Sequence, residues 1–99
     1  MTDKIVHVVA RLVPRPGKAE ELVTALLDML DEVRAEPGCL LYDAHESRDT
    51  PGVIVMVESW ADQAALDAHG RAPALTRLAA RFDALLAEPP SVERLHRIG

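Results

Sequence analysis

An α+β fold is what this sequence predicts, and three observations predict it. Runs of β-branched residues are closed by Pro and Gly, two stretches carry apolar residues at three- and four-residue intervals, and these segments come in the order β-α-β-β-α-β. The first run, Ile5 to Val13, ends at Pro14 and Pro16-Gly17, as a strand followed by a breaker should. From Lys18 to Ala35, Leu22, Val23, Leu26, Leu27, Leu30 and Val33 draw one apolar stripe between acidic residues, which predicts an amphipathic helix. Glu20 and Glu21 sit in its first turn, where the helix dipole favours them, and Glu36-Pro37-Gly38 stops it. Cys39 to Glu46 and Val53 to Trp60 flank the turn-rich stretch Ser47 to Gly52 and read as an antiparallel hairpin. Asp62 fits the N-cap of a short helix through His69, and Gly70 interrupts it. A further helical piece is predicted from Pro73 to Leu86 on the stripe Leu75, Leu78, Ala79, Phe82, Leu85 and Leu86. Ser91 to Ile98 then closes the sheet as an edge strand.

This order is the split pattern of ferredoxin-like domains, a four-stranded antiparallel sheet with its helices on one face, predicted here as a single domain over residues 1–99. The opposite face is left bare. Val9, Val13, Val53, Val55 and Val57 alternate with the helix-facing positions, so that face is apolar and calls for a partner. A homodimer packed sheet against sheet is the expectation.

Composition narrows the function classes. Apolar residues at 48 % and charged residues at 27 % are ordinary globular values and argue against disorder or a coiled coil. A formal charge of -5 repels phosphate backbones and anionic headgroups, so neither nucleic acid nor a membrane surface is expected as a partner. Cys39 stands alone and cannot close an intramolecular disulfide, and Met1 to Lys4 lacks the start of a signal peptide, which points to the cytoplasm. RNA-recognition domains share this strand order but stack bases on strand aromatics, whereas this chain has one Trp, one Tyr and one Phe. His7, His45, His69 and His96 are scattered without metal-ligand spacing, and no Walker loop, G-x-G-x-x-G or G-x-S-x-G is present. No metal is expected.

Three pieces, in order, carry a family resemblance: Arg15-Pro16-Gly17-Lys18, then Glu36-Pro37-Gly38-Cys39-Leu40-Leu41-Tyr42, then Glu58-Ser59-Trp60 with His69 nine residues beyond the tryptophan. With them the chain resembles the antibiotic-biosynthesis monooxygenase domain family over nearly its full length. The resemblance implies a dimeric α/β barrel of two ferredoxin-like subunits, with a small-molecule cavity between sheet and helices in each. It also implies a small oxygenase acting on quinols, anthrone-type polyketides or related aromatics with dioxygen and no bound cofactor. Such a substrate, once deprotonated, can itself pass an electron to dioxygen. The protein then needs a base, a dry cavity and a donor for the developing anion.

On that reading His69 is the base or donor, Glu58 orients His69 or a substrate hydroxyl, and Trp60 gives the cavity a flat wall. Read from the residues alone, Trp60 fits a core position, Glu58 an anchor to a backbone amide or an arginine, and His69 a C-terminal helix cap. Tyr42 is a core residue whose hydroxyl reaches the rim. The anthrone-oxidising branch carries an asparagine and a tyrosine where this chain has Met56 and Leu66, so these two positions line the cavity without that donor set. Ala10 and Ala79 stand near the places where the haem-degrading branch has its asparagine and histidine, which disfavours haem. His7 and Arg11 share one side of the first strand and are expected inside the barrel, in structural ion pairs with Asp43 and His45. A non-catalytic barrel holding a small hydrophobic metabolite is the alternative.

Overall fold

Alternation along the strands builds the sheet and decides its two faces. The computed structural model describes residues 4–99. Its elements are β1 (Val6–Leu12), α1 (Ala19–Arg34), β2 (Cys39–Glu46), β3 (Ile54–Trp60), α2 (Gln63–Arg71), α3 (Pro73–Ala79), α4 (Phe82–Leu85) and β4 (Ser91–Leu95). The four strands are antiparallel in the order β2-β3-β1-β4, the ferredoxin-like arrangement. Val8, Ala10 and Leu12 of β1 stand opposite Glu58, Met56 and Ile54 of β3, and all six are buried under the helices. Leu22, Leu26, Met29 and Val33 of α1 complete that core, since the stripe faces the sheet and its burial is the main favourable term.

The other face carries His7, Val9 and Arg11 beside Ser59, Val57 and Val55, with the three valines half-buried. The expected apolar series is shortened at its ends. Val53 is buried at the β2–β3 hairpin, outside β3, and Val13 lies beyond the end of β1.

Two expected helix breaks fall elsewhere. Gly70 does not interrupt α2, which runs on to Arg71. The break comes at Ala72, held extended with ψ 154° because Pro73 follows it. Pro73 to Leu86 is not one helix either. Arg81 N–H donates to Leu78 O in a tighter turn, and the end of α4 and the residues after it pair with the segment just past β1 through Arg15 N–H to Leu85 O and Ala87 N–H to Val13 O. Those bonds, with the bridge between Pro14 and Leu86, take the place of a continued helix.

Gly38 sets the approach of α2. Its φ is +81°, and a Cβ there would lie 2.5 Å from the Cβ of Ala65, so only glycine lets the start of β2 pass this close to the helix. Asp62 caps α2 as expected, accepting from Ala65 N–H at 2.8 Å. Among the described residues, no helix is long and apolar enough to cross a membrane.

Candidate functional site

Between the helices and the sheet lies a cavity of about 840 Å³. Val8, Ala10, Met56 and Leu78 are buried in its wall, whereas Gln63, Asp67, Arg71, Val92 and Arg94 on its lining are exposed and mark the rim. The rim therefore runs between α2 and β4.

His69 lies on the last turns of α2 and lines this cavity while only 5 % of it is exposed. Its Nδ1 is 2.9 Å from Oε1 of Glu36, two residues past the end of α1. Trp60 stacks on the imidazole with 4.5 Å between ring centroids and 27° between planes, and Tyr42 meets both rings edge-on. The imidazole is thus fixed in position by a carboxylate and in plane by two aromatic rings. The second oxygen of Glu36 is buried with no partner among the described residues, where the histidine is this carboxylate's one hydrogen-bond partner.

Glu58, expected beside His69, accepts instead from the indole N–H of Trp60 at 3.0 Å. The partner of His69 is Glu36, which the sequence offers as part of a helix stop and of the family resemblance but not as a site residue. Trp60 also differs from expectation: it is wholly buried behind the histidine and is not part of the cavity wall. Met56, Leu66, Tyr42 and Glu58 do line the cavity. His7 and Arg11 lie on the opposite sheet face, where His7 Nδ1 contacts Ser59 Oγ at 2.8 Å. Their expected ion pairs with Asp43 and His45 do not form within the chain, and Asp43 accepts from Arg34 instead. Among the described residues, no group of three or more His, Cys, Asp or Glu is placed to hold a metal ion.

Burial governs the two ionisable groups flanking the histidine. It drives the Tyr42 phenol well above its ordinary range, helped by the negative charges of Glu58 and Glu36, so Tyr42 remains an O–H donor at neutral pH. Among the described residues its hydroxyl makes no hydrogen bond to protein. Burial also raises the Glu58 carboxyl, against the bond from Trp60 and the neighbouring His69, which lower it. A carboxyl whose folded value lies above its unfolded one binds its proton more tightly when folded. Its contribution is complete below about pH 4.5 and is lost as pH rises through the folded value. Glu58→Gln keeps an acceptor for the indole and removes the charge. The variant should therefore melt higher than the parent at pH 7.5, with the gap closing as the pH is lowered toward 4.5. Thermal melts across that range read the difference directly, and a gap that widens on acidification contradicts the assignment.

A family model described as antibiotic biosynthesis monooxygenase matches residues 5–81. The chain is 41 % identical over 88 residues to the Mycobacterium tuberculosis protein named "Putative monooxygenase Rv0793", covering 88 % of this chain and 85 % of that one. The crystal structure of PA3566 from Pseudomonas aeruginosa superposes with a TM-score of 0.91 at 31 % identity, over 100 % of this chain and 99 % of the other. The structure of Rv0793 does so with a TM-score of 0.90, over 96 % of each chain. The chain belongs to the antibiotic biosynthesis monooxygenase family.

Proposed function

We propose that this protein is a cofactor-independent monooxygenase that oxidises a small quinol-like or polyketide-like aromatic with dioxygen. The observation that carries the reading is a buried histidine on an apolar cavity with its Nδ1 held by a dedicated carboxylate. An ionised Glu36 only accepts, so Nδ1 carries the proton and the neutral ring keeps its lone pair on Nε2. His69 then takes a proton from a phenolic hydroxyl at Nε2, and Glu36 supplies the countercharge to the imidazolium that forms. The phenolate, against the apolar lining of the cavity, passes an electron to dioxygen, and recombination forms the carbon–oxygen bond. One oxygen atom stays on the ring carbon, and the other leaves as water with the two hydrogens lost by the quinol. All four electrons come from the substrate. Tyr42, kept protonated by burial, donates to the oxyanion. Met56 and Leu66 shape the cavity, Glu58 orients the substrate hydroxyl from the floor, and Trp60 binds indirectly by backing the imidazole.

The working unit on this reading is a cytoplasmic homodimer joined through the helix-free sheet face, with His7 and Arg11 inside the barrel. That face has three half-buried valines, and among the described residues no helix packs on it. Oxygen uptake with a panel of hydroquinones and anthrones tests the function. Catalysed uptake with one of them, well above autoxidation and matched by a hydroxylated or quinone product, is expected. Uptake equal to autoxidation throughout, with measurable binding, would leave a non-catalytic barrel that holds a small hydrophobic metabolite.

A further inference from the structure

Five of the nine arginines are tied to an acceptor within the chain, namely Arg15, Arg34, Arg77, Arg81 and Arg97. Of the rest, Arg71 and Arg94 line the same cavity, and among the described residues neither has a hydrogen bond or an ion pair. Their positions follow from the fold. Arg94 stands opposite Val8 in the β1–β4 register, and Val8 is buried on the helix-facing side, so Arg94 shares the side on which the cavity lies. Arg71 ends α2 across the rim. It follows Asp67 by one turn, the spacing at which an acid and a base usually pair. Asp67 Oδ1 instead accepts from Gln63, and Arg71 stays unpaired. Glu58, the acid on the cavity floor, accepts from the Trp60 indole and forms no ion pair with either arginine.

Two guanidinium groups with no hydrogen bond or ion pair among the described residues stand at the rim of an apolar cavity whose lining also carries Asp67 and Glu58, on a chain of net charge -5. A plain hydrocarbon gives them nothing to bind, and a neutral quinol gives them only an uncharged acceptor. An aromatic body carrying a carboxylate or phosphate satisfies both halves of the site, the ring against Val8, Met56 and Leu78 and the anion against the guanidinium forks. We infer that the substrate is an aromatic acid or aryl phosphate, whose anionic group is held at the rim by Arg71 and Arg94. This rests on the proposal that the cavity receives an aromatic molecule, and it adds the charge that molecule carries.

Calorimetric titration of the full chain with 2-naphthoate, 2-naphthyl phosphate and the neutral 2-naphthamide tests both levels separately. A charged hydrogen bond is worth about 1.5–3 kcal/mol, so the better anion should bind at least about tenfold more tightly than the amide. Arg71→Gln and Arg94→Gln should each reduce that preference, and the double variant should abolish it while leaving amide binding unchanged. Both side chains are exposed, so these variants should fold, and circular dichroism checks that they do. Whichever of the two anions gains more identifies the group that the rim selects. Equal binding of amide and anions overturns this inference and leaves the aromatic cavity standing. A preference that survives in the double variant overturns it too. If none of the three probes binds, the inference and the cavity reading fall together.

Discussion

His69→Asn is expected to lower oxygen-dependent turnover by about a hundredfold or more, the size of loss that follows removal of a general base. The choice of asparagine matters. Its amide nitrogen stands near the place of Nδ1 and can still donate to Glu36, so the buried carboxylate keeps its partner while the lone pair of Nε2 is gone. His69→Ala should lose as much activity, but it also strands Glu36, whose other oxygen is already buried without a partner. Glu36→Gln retains an acceptor and removes the countercharge. Its turnover should fall by about tenfold, the lower end of what second-sphere partners usually contribute. Steady-state oxygen uptake, with circular dichroism as a control on folding, separates these cases. A tenfold or smaller loss in His69→Asn would make the histidine a positioning residue and move the base elsewhere.

Trp60→Ala is expected to have the largest effect on stability. The indole is wholly buried in the core cluster, touches the imidazole face and donates to Glu58. Truncating a buried aromatic costs about 3–5 kcal/mol in lost transfer and cavity terms. The Glu58 carboxyl left without its donor adds about 1–3 kcal/mol. Against the 5–15 kcal/mol or so typical of a whole domain, the variant should be close to unfolded at 37 °C. Trp60→Phe keeps most of the packing but not the N–H, and should fall between the two. Urea unfolding followed by far-ultraviolet circular dichroism is the suitable probe, because the chain has only one tryptophan. A loss below about 1.5 kcal/mol would mean that the core repacks around the gap.

Most of the fold was legible because its signals are local. The boundaries of β2, read from Pro37-Gly38 on one side and the Ser47–Gly52 turn on the other, coincide with the observed strand. The N-cap at Asp62 needs only four consecutive residues to recognise it. Where the reading failed, a distant contact decided the outcome. Leu86 is drawn out of its helix by pairing with Pro14, more than seventy residues earlier in the chain. Gly70 weakens a helix, but it breaks none when Pro73 forces the extended backbone two residues later.

The site was legible by face and not by partner. Two-residue spacing put Glu58 and Trp60 on the same side of a strand, and they do share it. Spacing could not reveal that the indole would turn to the carboxylate and lie behind the imidazole. Glu36 was hidden for a similar reason. Its 2.9 Å contact with His69 spans 33 residues, and nothing in the stretch Glu36 to Tyr42 points to a histidine so far along the chain. Arg94 read as one polar residue on a polar edge strand, and only the register opposite Val8 places it at the cavity.

The tautomer of His69 is the most direct measurement. Long-range ¹⁵N–¹H correlation spectra of labelled protein, recorded at a pH where the ring is neutral, distinguish the protonated nitrogen from the one with a free lone pair. The expected spectrum has the proton on Nδ1, facing Glu36, and an Nε2 signal that moves when a phenol enters the cavity. A ring protonated on Nε2, with a spectrum indifferent to added phenol, would leave no base on the cavity wall and contradict the proposed chemistry.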